Sequence, residues 1–107
     1  MTDTLKRVQA LVLHGEVFIS LHGYDELSAD GIQIRDVIAG LSNAVVVEEY
    51  PTYAKGPSVL VLQRDSEGLP LHIVWGIAVG RTTPAVLITA YRPDLAKWDE
   101  SWRRRRK

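Results

Sequence analysis

The sequence of 107 residues contains no cysteine. This excludes disulfide bonds, thiolate zinc sites and cysteine nucleophiles, and it permits a reducing compartment. No run of about 18 apolar residues occurs, so the sequence predicts no membrane-spanning helix and no membrane partner. The first 14 residues include Asp3, Lys6 and Arg7, unlike the apolar core of a secretory signal peptide. We therefore expect a cytoplasmic protein.

Several catalytic motifs are also missing. The sequence has no His-Glu-x-x-His motif for zinc, no P-loop, no dinucleotide-binding glycine pattern and no Gly-x-Ser-x-Gly turn around a serine nucleophile. Its three histidines and its acidic residues show no metal-ligand spacing. We therefore expect no bound metal and no cofactor.

The charge is unevenly distributed, although the net charge is zero. Residues 103–107 are all basic, which leaves eight basic and thirteen acidic residues in the rest of the chain. A basic tail attracts polyanions such as RNA, because each Lys or Arg that neutralises a phosphate releases counterions. The alternative is a solvated helix end that favours the helix dipole. We divide the chain into one domain, residues 1–102, and a basic tail, residues 103–107.

The first part of the chain has the apolar spacing of α-helices. Apolar residues predict a first helix over about 5–12 and a third over about 34–41. Between them, Ser20 is the expected N-cap of a short second helix that Gly31 ends. A chain of this length has room for a single hydrophobic core.

The pattern then changes to short β-branched runs separated by turn residues, which predicts strands at 45–50, 59–64, 71–79 and 85–92. Connections this short favour an antiparallel meander. Asp94 is the expected cap of a final helix that carries Trp98 and Trp102 on one face. The predicted fold is α+β: N-terminal helices packed on a four-stranded antiparallel sheet, followed by a C-terminal helix. The sheet face that the helices leave open is where a site could form.

Two histidines are candidates for acid–base chemistry. His22 lies four residues before Glu26 in the second helix, where a carboxylate could orient the imidazole, although such pairs are also common on surfaces without function. His72 lies in the third predicted strand, opposite to Leu71 and Ile73 by strand alternation. Its alternative role is that of a half-buried histidine bonded to a neighbouring backbone group.

Hydroxyl and carboxylate groups on the strands are the other candidates. Thr89 and Tyr91 share a face of the last strand and could bind phosphate oxygens, but both are also good strand formers. The first predicted strand ends with Glu48, Glu49 and Tyr50, and one of the two carboxylates could act as a general base. Glutamates that protect an edge strand from aggregation are the commoner explanation.

Short motifs along the chain, from Phe18 to Trp102, resemble the domain of unknown function family 4258 in their order. They are Ile19-Ser20-Leu21-His22, Asp30-Gly31-Ile32, Asp36-Val37, Glu48-Glu49-Tyr50-Pro51, Gly56-Pro57, Leu60-Val61-Leu62, Pro70-Leu71-His72-Ile73-Val74 and Ile88-Thr89-Ala90-Tyr91-Arg92-Pro93-Asp94, followed by Trp98.

That family is similar in fold to the ribonuclease toxins grouped with barnase and RelE, in which N-terminal helices pack on an antiparallel sheet. Members of that group cut RNA without a metal by promoting attack of the ribose 2′-hydroxyl on the adjacent phosphate. The resemblance implies that the catalytic residues are His22, His72 and Glu49, and that the substrate-binding residues are Tyr50, Thr89 and Tyr91.

Two functions remain open at this stage. The first is a small metal-independent endoribonuclease, the toxin of a toxin–antitoxin pair, with RNA as substrate and a small antitoxin-like protein as partner. The second is a non-catalytic binding module that uses the sheet face and the loop from Tyr50 to Pro57 to hold a protein or a small ligand. The basic tail and the histidines favour the first, and the acidic body favours the second.

Overall fold

A computed structural model describes residues 3–106. Three α-helices form in the N-terminal part: α1 (Thr4–Leu13), α2 (Leu21–Ala29) and α3 (Ile34–Gly40), the last continued by a 3-10 turn at Leu41–Asn43. The predicted N-cap of α2 is confirmed, because the Ser20 hydroxyl accepts a hydrogen bond from the Gly23 amide at 2.9 Å. None of the helices in the described residues is long and apolar enough to cross a membrane.

The strands are β1 (Val17–Ile19), β2 (Val45–Tyr50), β3 (Ser58–Arg64), β4 (Pro70–Gly76) and β5 (Ala85–Tyr91). The predicted antiparallel meander is confirmed for β2 to β5. The prediction of a purely antiparallel four-stranded sheet is wrong, because β1 pairs with β5 in parallel and the order is β1-β5-β4-β3-β2. β1 has only three residues, too few for a periodic signal, and its partner lies far along the chain.

The three helices cover one face of this mixed five-stranded sheet, here called the inner face, and bury its alternating apolar residues. The buried core joins Val8, Leu27 and Val37 of the helices to residues of β3, β4 and β5. Among these strand residues are Val59, Val61, Leu71, Ile73, Trp75, Ala85, Leu87 and Ala90. The opposite face, here called the outer face, receives no helix among the described residues.

The predicted C-terminal helix is wrong for the described residues. The Asp94 carboxylate does accept hydrogen bonds from the amides of Ala96 and Lys97, as a helix cap would, but the chain makes only one turn. It then folds back, so that Trp98 pairs with Arg105 in an antiparallel bridge. This C-terminal hairpin (residues 94–106) lies on the outer face, because burial of Trp98, 3% exposed, outweighs continuation of an exposed helix.

Residues 103–106, the described part of the basic tail, belong to this hairpin. Arg105 forms a salt bridge with Glu48 of β2, and Arg106 donates hydrogen bonds to the carbonyls of Leu95 and Trp98. Lys107, which the predicted tail includes, lies outside the described residues.

Candidate functional site

Strand register arranges the side chains of the outer face in three rows across the sheet. The open row contains Phe18, Val86, Gly76, Ser58 and Tyr50. The middle row contains Thr89, Val74, Leu60 and Glu48. The covered row, under the C-terminal hairpin, contains Tyr91, His72, Leu62 and Val45. Four of the six predicted site residues, including Tyr50, are therefore in these rows.

His22 projects from the first turn of α2 to the edge of the middle row. Its Nε2 atom lies 3.2 Å from the Glu26 carboxylate and 3.4 Å from the Thr89 hydroxyl. The side chain is 67% exposed. The N-terminal end of α2 is fixed on β5, because Ser20 donates from its amide to Leu87 and from its hydroxyl to Ile88. The exposed His22 side chain is thus held in a defined place beside the sheet.

His72 lies on the same face as Thr89 and Tyr91 but is fully buried beneath the hairpin. Its Nε2 atom is 2.6 Å from the Trp102 carbonyl oxygen, and its Nδ1 atom is 3.0 Å from the Tyr91 hydroxyl. Because a carbonyl only accepts, we assign the proton to Nε2, and Tyr91 then donates to Nδ1.

Burial lowers the pKa of His72 below its ordinary value and so favours the neutral imidazole. The Trp98 ring stands edge-on to the His72 ring, with centroids 4.4 Å apart, and completes the enclosure. Both nitrogens are occupied, so His72 holds the hairpin and Tyr91 in place rather than meeting a substrate in this conformation.

Tyr91 borders a cavity of about 370 Å³. The other residues that line this cavity are mainly basic or belong to the hairpin, namely Arg92, Pro93, Asp94, Lys97, Trp98 and Arg105. Burial raises the pKa of Tyr91, so its hydroxyl stays a hydrogen-bond donor at neutral pH. Arg92 is engaged by Asp65 at 3.1 Å and Arg105 by Glu48 at 2.9 Å, which leaves Lys97 as the cation of this lining that forms no salt bridge within the described residues.

Glu48, the alternative to Glu49 in the sequence, is the carboxylate that β2 places on the outer face. Arg105 donates to both of its oxygens, at 2.9 and 3.0 Å, and Tyr50 donates to it at 2.5 Å. Chiefly the hydrogen bond from Arg105 lowers the pKa of Glu48. Burial, together with the bond to Glu48, raises the pKa of Tyr50 to about 12. The arginine could not be found from sequence, because its approach depends on the hairpin.

Glu49 lies opposite Val59, whose side chain is in the core, so Glu49 is on the inner side of β2. A bulge between Val46 and Glu48 sets this register. The predicted catalytic role of Glu49 stays a prediction, but the register separates it from His22, His72, Thr89 and Tyr91. Within residues 3–106, no group of three or more His, Asp or Glu is arranged to hold a metal ion.

Family comparison agrees with the resemblance seen in the sequence. A family model, described as Domain of unknown function (DUF4258), matches residues 19–92, and the chain belongs to this family. The match begins at the last residue of β1 and ends just after β5, so it includes α2, α3 and β2 to β5 but not the C-terminal hairpin. No curated protein and no solved structure matches the chain.

Proposed function

We propose that this chain is a small metal-independent endoribonuclease of the cytoplasm, in which His22 is the acid–base residue. The observation that carries the proposal is the exposed contact of the His22 imidazole with both Glu26 and Thr89, on the sheet face that also bears Tyr91. The likeness of the family fold to the barnase and RelE toxins is part of the same proposal.

In this mechanism the Glu26 carboxylate accepts a hydrogen bond from the Nε2–H group of His22, and the Nδ1 atom of the same ring removes the proton of a ribose 2′-hydroxyl. The 2′-oxygen attacks the adjacent phosphorus and the bond from phosphorus to the 5′-oxygen breaks. The leaving oxygen takes a proton from water, which reaches this open part of the face. The products are a 2′,3′-cyclic phosphate and a 5′-hydroxyl end.

Neighbouring groups support this chemistry by orientation and charge. The Glu26 carboxylate stabilises the imidazolium that forms, and the Thr89 hydroxyl fixes the ring. Lys97, which lines the cavity bordered by Tyr91, offers a cation for the phosphate, whereas the single hydroxyl proton of Tyr91 is donated to His72. His72 is a positioning residue here, since its contact with Tyr91 orients that hydroxyl.

The direct test is incubation of the purified chain with single-stranded RNA in EDTA, followed by end-group analysis. We expect fragments ending in 2′,3′-cyclic phosphate. His22→Ala should lower the cleavage rate by about a hundredfold or more, the usual scale for an acid–base group. His14→Ala is the matched control, because His14 is an exposed histidine at the end of α1, on the other side of the sheet. Equal rates for the two variants would overturn the proposal.

The pH profile separates this mechanism from one that uses two imidazoles. Because His72 is buried beneath the hairpin, His22 is the single base that governs the cleavage rate. This rate should rise with pH to a plateau. A bell-shaped profile that His72→Gln converts into a plateau would restore His72 as the second acid–base group. If the chain is a toxin, the neighbouring gene should encode a small antitoxin-like partner that blocks this face.

A non-catalytic binding module is the second candidate. It is favoured by the firm attachment of the loop between β2 and β3, where the Val79 amide donates to the Lys55 carbonyl at 2.9 Å and the Ile77 amide to the Pro57 carbonyl at 3.1 Å. A rigid loop beside an exposed face suits recognition without chemistry. Absence of cleavage by a folded wild-type chain would leave this candidate in place.

A further inference from the structure

A groove of about 230 Å³ lies along the open row, at the end of the outer face away from the C-terminal hairpin. The residues lining it are Tyr53, Lys55, Gly56, Ser58, Gly76, Ile77, Ala78, Val86 and Ile88. Most of this lining is apolar, and Lys55 is its charged member. The groove is smaller than the roughly 300–1,000 Å³ of pockets for drug-sized ligands, so it suits one flat ring system rather than a peptide helix.

The wall that carries Tyr53 and Lys55 is fixed by the backbone. Gly56 has a φ of 128° and approaches β4 so closely that a Cβ atom there would lie 2.0 Å from the Ile77 carbonyl oxygen. Only glycine permits this approach. The groove is therefore preformed, and a ligand would lose little binding free energy in ordering it.

Two exposed aromatic rings border the groove. Phe18 is 58% exposed, because Val17 and Ile19 turn into the core and strand alternation directs Phe18 to the outer face, next to Val86. Tyr53 lines the groove itself and is 53% exposed. The described residues do not cover either the Phe18 ring or the Tyr53 ring.

The groove also adjoins the His22 site. Ile88 lines the groove and Thr89, which contacts His22, follows it directly in β5. The Ser20 hydroxyl, at the start of the helix that carries His22, donates to the Ile88 carbonyl at 3.1 Å. A polymeric ligand bound in the groove would therefore extend past the His22 imidazole.

We propose that this groove binds one unpaired base of single-stranded RNA, which stacks on Phe18 or Tyr53 while Lys55 contacts a phosphate. This inference rests on the proposed function and specifies that the RNA substrate is single-stranded at the cleavage site. Bases of single strands stack on aromatic side chains exposed on sheets, whereas bases in a duplex are already stacked and paired. The charge agrees with this occupant, since the groove offers a cation and no carboxylate among its lining residues.

The test measures binding separately from cleavage. A fluorescein-labelled single strand about 10 nucleotides long, 2′-O-methylated so that no 2′-hydroxyl can attack, is titrated with the full chain by fluorescence anisotropy. Of the two variants Phe18→Ala and Tyr53→Ala, the one that removes the stacking ring should raise the Kd about 5-fold to 150-fold, the range for loss of a base stack. Phe18→Tyr should retain wild-type affinity, and a duplex of the same sequence should bind more weakly than the single strand.

Leu13→Ala is the matched control, because Leu13 is an exposed apolar residue at the end of α1. It should leave the Kd unchanged. Unchanged affinity in folded Phe18→Ala and Tyr53→Ala variants would overturn the base-binding groove, even if the wild-type chain cleaves RNA. A loss of self-association in these variants, with no change in RNA affinity, would instead assign the groove to a second copy of the chain. Ring-dependent binding without any cleavage would retain the groove and overturn the ribonuclease.

Discussion

The two halves of the outer face use similar residues in different ways. The covered half consists of the covered row and of Glu48, which the hairpin also contacts. Here His72 bonds to Tyr91 and to the Trp102 carbonyl, Glu48 bonds to Arg105 of the hairpin, and His72 has no exposed surface. In the open half, His22 and Phe18 remain largely exposed. His72, which the hairpin covers, therefore has a structural role, whereas His22, which the hairpin does not cover, is available to act as a base.

The comparison also bears on the family. The matched residues include His22 of the open half and His72, Tyr91 and Glu48 of the covered half, but they begin after Phe18 and stop before the hairpin. The covered half is therefore closed by a segment outside the matched region, and its polar groups are satisfied by that segment. If the hairpin is the reason that the halves differ, weakening it should make the covered half resemble the open one.

The largest effect is expected from Trp98→Ala. Trp98 is 3% exposed and packs against His72, so its removal should lower the free energy of unfolding by about 3–5 kcal/mol. Urea unfolding followed by circular dichroism measures this change. Leu95→Ala, at a half-exposed position of the same hairpin, should change it by less than about 0.5 kcal/mol. If Trp98→Ala lowered the free energy of unfolding as little as Leu95→Ala does, the hairpin would contribute little to stability.

Chemical modification should distinguish the two histidines next. We expect diethylpyrocarbonate to modify His72 more than about tenfold more slowly than His22, because the hairpin must open before reagent reaches the buried ring. Peptide mass spectrometry gives the rate at each site, with the exposed His14 as reference. In Trp98→Ala the rate at His72 should approach that at His22. Rapid modification of His72 in the wild-type chain would remove the distinction between the halves.

Acid should destabilise the covered half. Because burial holds the pKa of His72 below about 6.5, its value in unfolded chains, only the unfolded state binds the proton just below that pH. The free energy of unfolding should therefore fall as pH falls below about 6.5. The lowered pKa of Glu48 adds a further loss only below about 4.5. Urea unfolding at pH 7.5 and 5.5 should show a smaller difference for His72→Gln than for the wild type, and identical differences would contradict this assignment.

The smallest effect is expected at the edge of the covered half, from the ion pair between Glu48 and Arg105. Its geometry is bidentate, but both side chains are partly exposed, so a double-mutant cycle with Glu48→Gln and Arg105→Gln should give a coupling of about 0.2–1 kcal/mol. Salt at about 1 M should reduce it by screening. A coupling that salt does not reduce would indicate a hydrogen bond protected from solvent rather than a surface pair.

Local patterns were sufficient for much of the fold. Strand alternation predicted the faces of His72, Thr89 and Tyr91, because successive strand side chains must point to opposite sides. Ser20 predicted the start of α2, because an N-cap hydroxyl satisfies an amide only a few residues away. The family resemblance, too, was carried by short consecutive motifs.

Contacts between distant parts of the chain decided the rest. The parallel pairing of β1 with β5, the register that turns Glu48 rather than Glu49 to the outer face, and the approach of Arg105 depend on residues remote in sequence. The final segment has a helix cap in Asp94, but burying Trp98 on His72 gains more free energy than an exposed helix would. The sequence alone determined which residues of β4 and β5 face the same side of the sheet. Tertiary packing decided which of them the hairpin covers, because burial depends on what the far end of the chain packs against.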